Sequence, residues 1–223
     1  MSSSCNKESC WLKHKCIKDG MDKKTFQKTF APYQPLEWKK KPNEWLSSVD
    51  IQKVMKQYEK AYKCFEFMGP SPIDFDDHKL YGECVWEELC KFNLSDSIKR
   101  GKTKIGIIFN LDKHTQSGSH WVAMFINTKK GNITYMDSYG DSPPKEIDIL
   151  ADRIKNQSAK FGNSYDYNKT TLRHQYSNSE CGMYCLHFII ESIKGKDWTY
   201  FNRVKISDKK MKRLRKIYFN VNN

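Results

Sequence analysis

The sequence predicts an α+β fold, and three observations indicate this class. Residues 104–139 contain apolar, strand-like runs separated by turn signals. Amphipathic, helix-like spacing precedes this block from Trp45 onward. A segment beginning near Cys181 is apolar almost all round, which is typical of a helix buried in the middle of a domain.

The first 44 residues are predicted to form an arm, and residues 45–223 a domain with a basic C-terminal tail. Residues 1–44 are rich in Lys, Pro and Cys and show little periodicity. Prolines break regular structure, so this part should contain little of it. A chain of 223 residues fits one domain with such an arm.

The first helix of the domain is predicted from apolar residues at helical spacing, with Ser47 or Ser48 as its N-cap. These apolar residues are Leu46, Val49, Ile51, Val54, Met55 and Tyr58. We expect "MGPSPIDFDD" to end this helix, because Gly and Pro disfavour its continuation. The run "GECVWEELCKFN" then predicts a second, short amphipathic segment.

Strands are predicted at 104–111, 120–127 and 132–139, and the last two form a hairpin around Gly131-Asn132. A helix opened by Pro-Pro follows, with Ile147, Leu150 and Ile154 on one face. Residues 165–173 predict a fourth strand, which precedes the helix near Cys181.

The net charge of +13 leaves two interpretations open. It favours contact with nucleic acid or acidic protein surfaces, and it equally fits a basic, Lys-rich proteome. We expect the tail to be a solvated helix, with non-specific nucleic-acid contact as the alternative. Its basic residues are Lys209, Lys210, Lys212, Arg213, Arg215 and Lys216.

Two further expectations concern the chain's environment. No apolar run approaches the ~20 residues of a membrane span, and "MSSSCNKESC" lacks the apolar region of a secretory signal. We therefore expect no membrane contact, a cytoplasmic location, and reduced thiols at all eight cysteines.

Cys181 and Cys185 differ in their expected chemistry. Cys181 stands at a helix N-terminus, where free N–H groups and the helix dipole favour a thiolate. Gly182 beside it would leave room for a substrate backbone. Cys185 lies one turn further on among apolar residues, so we expect an inert core thiol.

A nucleophilic cysteine needs an imidazole, and that imidazole needs an orienting group. His120 begins a strand directly after a polar loop, where sites are commonly built. Antiparallel pairing of the hairpin would place Asp137 nearly opposite His120. Each feature alone is more often structural, but their joint occurrence favours a His120–Asp137–Cys181 triad.

The boxes "GSHW", "MDSYG" and "HQYSNSECGMYCLHF" resemble those of ubiquitin-like-protein-specific cysteine proteases, the family of SUMO-deconjugating enzymes and adenovirus protease. Within it they resemble the viral branch that processes polyproteins, of the African swine fever virus type. The resemblance implies a papain-like fold of this family's type. In that fold a central mixed sheet carries the nucleophile at the N-terminus of a buried helix.

The resemblance also implies roles for three more residues. Gln175, six residues before Cys181, matches the family's oxyanion-hole glutamine. Trp121 matches the tryptophan that roofs a narrow channel for the Gly-Gly end of the substrate. Trp45 in "EWLSSVDI" would form the other wall, although Ser47 and Ser48 replace the family's Asn-Asp at this segment.

The resulting hypothesis is a thiol protease without cofactor that cleaves after Gly-Gly or Gly-Xaa. It would be a monomeric viral enzyme that matures capsid or core precursors. It would act in the host cytoplasm or viral factory, or it would be packaged in the virion. Alternatives are a deconjugase of SUMO or ubiquitin-like modifiers, an acetyltransferase on the same fold, and a basic nucleic-acid-binding protein without enzymatic activity.

A zinc site in the arm is a further alternative. Cys and His are zinc ligands, and the arm holds Cys5, Cys10, His14 and Cys16. Their spacing is not a standard one, so the prediction is that no metal is bound.

Overall fold

The computed structural model describes residues 8–12, 14–22, 25 and 29–221. Its helices are α1 Glu8–Trp11, α2 Lys15–Gly20, α3 Ser48–Ala61, α4 Glu87–Cys90, α5 Leu94–Lys99, α6 Lys145–Ala159, α7 Cys181–Ile193, α8 Trp198–Arg203 and α9 Asp208–Tyr218, with a 3-10 helix at Leu36–Lys39. Its strands are β1 Phe65–Pro72, β2 Lys104–Asn110, β3 Trp121–Asn127, β4 Asn132–Met136 and β5 Asp166–Lys169. No helix within the described ranges is long and apolar enough to cross a membrane.

The five strands form one mixed sheet in the order β1-β2-β3-β4-β5. Strands β2, β3 and β4 pair antiparallel, whereas β1 and β5 run parallel to their neighbours at the two edges. The predicted α+β class and the hairpin of β3 and β4 are confirmed. The predicted fourth strand is present but shorter, as β5.

Strand β1 is an element that the sequence interpretation missed. The Gly69-Pro70 pair was expected to belong to the segment that ends the first helix, yet it lies inside β1. The pairing of β1 with β2 is interrupted between Met68 and Ser71, around this pair. Proline is compatible with edge strands and bulges, because its missing N–H is not needed there. The Gly69-Pro70 pair therefore marks an irregularity in an edge strand and not the end of regular structure.

Helix α3 begins with a capping box. The Ser47 hydroxyl accepts a hydrogen bond from the Asp50 N–H at 3.2 Å, and the Asp50 carboxylate accepts one from the Ser47 N–H at 3.0 Å. These bonds satisfy two N–H groups that have no partner within the helix. Of the two serines proposed as N-cap, Ser47 is the one observed.

The sheet separates two apolar cores. Helix α7 packs on β3 in one core, together with α3, while α6 covers the opposite face. Every residue of α7 except Glu191 is buried, as the apolar pattern predicted. Because α7 is enclosed on all sides, its N-terminal residue is held rigidly against the end of the sheet.

Part of the predicted arm packs on the C-terminal end of the chain. Trp38 of the 3-10 helix meets Phe219 edge to face, with ring centroids 4.9 Å apart. Tyr33 forms a parallel bridge with Asn220. Cys5 and the Cys16 side chain lie outside the described residues, so the prediction about an arm metal site remains a prediction.

The expectation that all cysteines are reduced is contradicted by the structure. Cys84 and Cys90 form a disulfide that joins the segment before α4 to the end of α4. The two are six residues apart in sequence. Neither the cysteine count nor the start of the chain indicates which cysteines lie close together in the fold, so this pair could not be foreseen from them.

Candidate active site

The site is built where β3 and β4 meet the N-terminus of α7. Cys181 is the first residue of α7 and is 2% exposed. His120 directly precedes β3, and Asp137 directly follows β4. Residues from three distant segments therefore converge at one end of the sheet.

His120 connects the other two residues. Its Nε2 lies 2.8 Å from Oδ1 of Asp137, a carboxylate that is 2% exposed. The Cys181 thiol interacts with the same imidazole and contributes to the rise of its pKa. With Nε2 engaged by the carboxylate, Nδ1 is the ring nitrogen free to face sulfur. The structure thus brings the three predicted triad residues together.

The electrostatics of the site favour a protonated imidazole. Burial lowers the pKa of His120, but the hydrogen bonds and negative charges of Asp137 and Cys181 outweigh burial and raise it to about 9. An imidazole with this pKa is charged at neutral pH. In contrast, burial lowers the pKa of His187 to about 4 and also lowers the pKa of His174.

The register of the hairpin differs from the predicted one by two residues. Asn127 pairs with Asn132 and Ala123 with Met136. Extending this register places Tyr139, not Asp137, across from His120. Asp137 reaches the imidazole along the diagonal on the same face, a distance that long side chains can span. The predicted contact is therefore present, although the predicted pairing was wrong.

Tyr139 lies in the turn that follows β4 and stacks on His120. The two ring centroids are 4.9 Å apart with planes at 24°. The Tyr139 N–H also donates to Oδ1 of Asp137 at 2.8 Å, which fixes the carboxylate. No role for this tyrosine was predicted from the sequence, because a contact made from a turn leaves no local pattern.

Gln175 is fully buried beside the triad segment. Its Oε1 accepts from the Ser138 hydroxyl at 2.6 Å. Its amide nitrogen donates to the Tyr139 hydroxyl at 3.2 Å and to the Ser177 carbonyl at 2.5 Å. The amide is thus held in one orientation, and both of its donors are engaged in this state.

Trp121 and Trp45 lie on the same groove. The buried Trp121 donates its indole N–H to the Leu46 carbonyl at 3.0 Å, which ties β3 to the residue after Trp45. Both tryptophans line a groove of about 600 Å³ that runs along the segments 45–48, 70–72 and 110–118. Trp45 is 39% exposed and Trp121 only 7%.

Gly182 has a different role from the predicted one. A Cβ at this position would lie 3.0 Å from the Leu46 Cβ and 3.1 Å from its Cδ1. The glycine therefore makes room for Leu46, whose carbonyl holds Trp121, rather than for a substrate backbone. Cys185, one turn into α7, is fully buried, and burial raises the pKa of its thiol, as expected for a core cysteine.

Comparison with known proteins identifies the family. The model of the Ulp1 protease family, C-terminal catalytic domain, matches residues 92–223 of the chain, which include the whole triad. The chain belongs to the Ulp1 protease family. The predicted cysteine peptidase is thereby confirmed at the level of the family.

Two relatives of this Ulp1-family chain are viral proteins. It is 35% identical over 182 residues to a thiol protease of Acanthamoeba polyphaga mimivirus, covering 80% of this chain and 58% of that protein. It is 27% identical over 232 residues to the SUMO-1 cysteine protease S273R of African swine fever virus, covering 97% of this chain and 84% of the relative. These names agree with the predicted viral branch.

Solved structures confirm the predicted fold. The crystal structure of the African swine fever virus pS273R protease matches with a TM-score of 0.73 at 25% identity, covering 99% of this chain and 85% of that one. The Ulp1 protease domain in complex with SMT3, the yeast ortholog of SUMO, matches with a TM-score of 0.57 at 20% identity, covering 79% and 76%.

The basic tail of this Ulp1-family chain is only partly the solvated helix that was expected. In α9, Lys212 and Lys216 are exposed, but Arg215 is buried. Arg215 Nη2 lies 3.1 Å from Oε2 of Glu180, the fully buried residue that precedes Cys181. The tail therefore supports the N-terminus of α7, a role that its composition did not indicate.

Proposed function

We propose that this Ulp1-family chain is a viral thiol protease that matures capsid or core precursor polyproteins. It would hydrolyse peptide or isopeptide bonds after Gly-Gly or Gly-Xaa, with Cys181 as nucleophile. The observation that carries this proposal is the single imidazole of His120, which is hydrogen-bonded to Asp137 and interacts with Cys181 at the N-terminus of α7. A base oriented by a third group beside the nucleophile is the arrangement that activates a cysteine.

In the first step, the Cys181 sulfur attacks the carbonyl carbon of the scissile bond as a thiolate. The raised pKa of His120, about 9, favours the charged imidazole at neutral pH, so the ring holds the proton that the leaving amine needs. Asp137 stabilises this cation and holds the ring orientation.

In the second step, the C–N bond breaks and His120 donates its proton to the leaving amine. The acyl group remains on Cys181 as a thioester. Water then attacks this thioester while the neutral imidazole takes a proton from the water. Release of the acid restores the thiolate beside the charged imidazole and completes the cycle.

The negative oxygen formed in both steps needs preorganised donors. The backbone N–H of Cys181 is available, because the first N–H groups of a helix have no acceptor within it. Gln175 is the proposed second donor. Since its amide nitrogen is engaged by Tyr139 and Ser177, binding of substrate would have to replace one of these hydrogen bonds.

The groove between Trp121 and Trp45 supports a preference for small residues before the cleaved bond. A tryptophan wall fixed by a buried hydrogen bond does not move aside at low cost. We propose that the residues before the scissile bond pass between these two tryptophans, where small side chains such as that of glycine are favoured. Protein substrates with an extended Gly-Gly or Gly-Xaa segment fit this restriction.

Deconjugation of SUMO is the second candidate, because the African swine fever virus relative is a SUMO-1 cysteine protease. A panel of substrates distinguishes polyprotein processing from SUMO deconjugation. It contains SUMO and ubiquitin fusions and short Gly-Gly-Xaa peptides, and each substrate is incubated with the parent chain and with Cys181→Ala. We expect the peptides to be cleaved after the second residue and Cys181→Ala to abolish turnover of a folded chain. Cleavage of SUMO fusions alone would favour deconjugation, and cleavage retained by Cys181→Ala would refute the protease.

The proposal places the reaction in the host cytoplasm or viral factory, or inside the virion. A monomer is sufficient for it, because Cys181, His120 and Asp137 all come from one chain. Non-specific contact of the exposed lysines of α9 with nucleic acid remains a separate prediction, tested by the salt dependence of DNA binding.

A further inference from the structure

A second cluster of reactive side chains lies away from the triad. The ligand atoms of His78, Cys84 and Cys90 all lie within 4.8 Å of one another. His78 and Cys84 face each other in an antiparallel bridge, and Cys90 ends helix α4. In the structure the two sulfurs form a disulfide, with Cα atoms 6.2 Å apart. The mechanism above uses none of these residues.

The disulfide accounts for the two sulfurs but not for the imidazole beside them. Two thiolates and one imidazole form a donor set that suits Zn²⁺, with sulfur at ~2.3 Å and nitrogen at ~2.0–2.1 Å from the ion. Two sulfurs on one tetrahedral ion are about 3.8 Å apart by that geometry. Side-chain rotation of the reduced cysteines can supply this separation. His78 is exposed, so a water molecule can take the fourth position.

We propose that His78, Cys84 and Cys90 bind one Zn²⁺ ion in the reduced protein, and that the disulfide is the oxidised state of the same site. Reduction needs a small-molecule thiol: two thiols are oxidised to one disulfide, and Cys84 and Cys90 gain two electrons and two protons. Zn²⁺ then displaces the two thiol protons, because thiolate is the binding form. The two states exclude each other, since a disulfide sulfur is not a thiolate.

The ion would fix a hairpin at the edge of the substrate groove. Lys79 and Glu83 close this hairpin, with the Lys79 N–H donating to the Glu83 carbonyl at 2.8 Å. Lys79, Val85 and Trp86 line the groove that also contains Trp121. The metal would join the hairpin to α4, because His78 and Cys84 lie on the hairpin and Cys90 lies on α4. The disulfide makes the same link without His78.

Titration with Co²⁺, a spectroscopic substitute for Zn²⁺, tests the site. The full-length chain carries Cys181→Ala, so that the catalytic thiol binds no metal. It is reduced with dithiothreitol, freed of reductant without oxygen, and titrated. We expect visible absorption typical of tetrahedral thiolate-ligated Co²⁺, and Zn²⁺ should abolish it. Cys84→Ser should lose one equivalent of bound Co²⁺ per chain, and Cys64→Ser, which alters a free cysteine outside the cluster, should lose none.

His78→Ala keeps the test decisive if Cys84→Ser fails to fold, because His78 is exposed. It should weaken Co²⁺ binding at least tenfold while both thiols remain. Metal bound by the arm cysteines would persist in every variant, so only the difference between variants is interpreted. Equal Co²⁺ binding by His78→Ala and the parent chain would overturn the proposal. So would equal binding by the reduced and the oxidised chain.

Discussion

Removal of the Arg215 guanidinium should destabilise the fold strongly, although its helix is part of a basic, largely exposed tail. Arg215 Nη2 pairs with the fully buried carboxylate of Glu180 at 3.1 Å, and Nη1 donates to the Glu44 carbonyl at 2.7 Å. The guanidinium also lies 4.3 Å from the ring centroid of Trp38. Loss of the cation leaves the carboxylate buried without its partner.

The expected magnitude follows from this burial. Breaking a buried ion pair by removing one partner costs ~3–5 kcal/mol, a large part of the ~5–15 kcal/mol that stabilise a typical domain. Arg215→Met retains most of the apolar stem, so the loss reports mainly on the charge. Lys212→Met on the exposed side of the same helix is the matched control, and we expect a change within ~0.5 kcal/mol.

Urea unfolding of five chains measures these free energies: the parent, Arg215→Met, Lys212→Met, Glu180→Gln, and Arg215→Met combined with Glu180→Gln. The double variant should be more stable than Arg215→Met alone, because a buried amide costs less than a buried unpaired carboxylate. Two results would refute the reasoning. One is an Arg215→Met chain as stable as Lys212→Met, and the other is a double variant that shows the sum of the single losses.

Three further predictions concern the active site. The kcat/KM of the protease should fall at alkaline pH with a pKa near 9, which is the pKa of His120. Asp137→Ala should shift this alkaline limb of the pH profile to lower pH, because the variant lacks the carboxylate that raises the pKa of His120. In the folded chain iodoacetamide should modify Cys181 and not Cys185, because burial raises the pKa of the Cys185 thiol. Peptide mass spectrometry identifies the modified cysteine. Trp121→Phe should lower the free energy of unfolding by ~1–3 kcal/mol, since it leaves a buried carbonyl without its donor.

Each of these has its own control. Because the pKa of His120 is raised in the folded chain, the charged imidazole stabilises the fold fully below pH 6.5, the ordinary pKa of histidine. This contribution to the free energy of unfolding is lost as the pH rises through about 9. An alkaline limb unchanged by Asp137→Ala would contradict the assignment. Modification of Cys185 at the rate of the partly exposed Cys64 would contradict its burial. Trp45→Phe, at the exposed wall of the groove, should leave stability nearly unchanged, and equal losses in both tryptophan variants would contradict the prediction for Trp121.

The parts of the fold that the sequence could predict depend on local patterns. The capping box at Ser47 and the all-round apolar surface of α7 are recorded within a few residues, so they were recognisable. The hairpin was recognisable too, but its register was wrong by two residues. A shift by two keeps every side chain on the same face, so the apolar alternation cannot detect it.

The remaining features depend on distant partners, and no local pattern records them. Arg215 and Glu180 are 35 residues apart, and the composition of α9 suggested only a solvated helix. Strand β1 was hidden because an edge strand tolerates the same Gly-Pro pair that usually ends regular structure. Leu46, which explains Gly182, lies far away in sequence as well.

The triad and the proposed oxyanion donor are coupled through the tripeptide of residues 137–139. Asp137 orients His120, and Tyr139 stacks on that imidazole. Between them, the Ser138 carbonyl accepts the backbone N–H of Gln175 at 2.8 Å, and its hydroxyl donates to the Gln175 side chain at 2.6 Å. Because one rigid turn carries all these contacts, the orientation of the base and that of the amide cannot change independently. The "MDSYG" box therefore positions the groups that transfer the proton and also the amide proposed to stabilise the oxyanion, so its Ser and Tyr are as necessary to the geometry as its Asp.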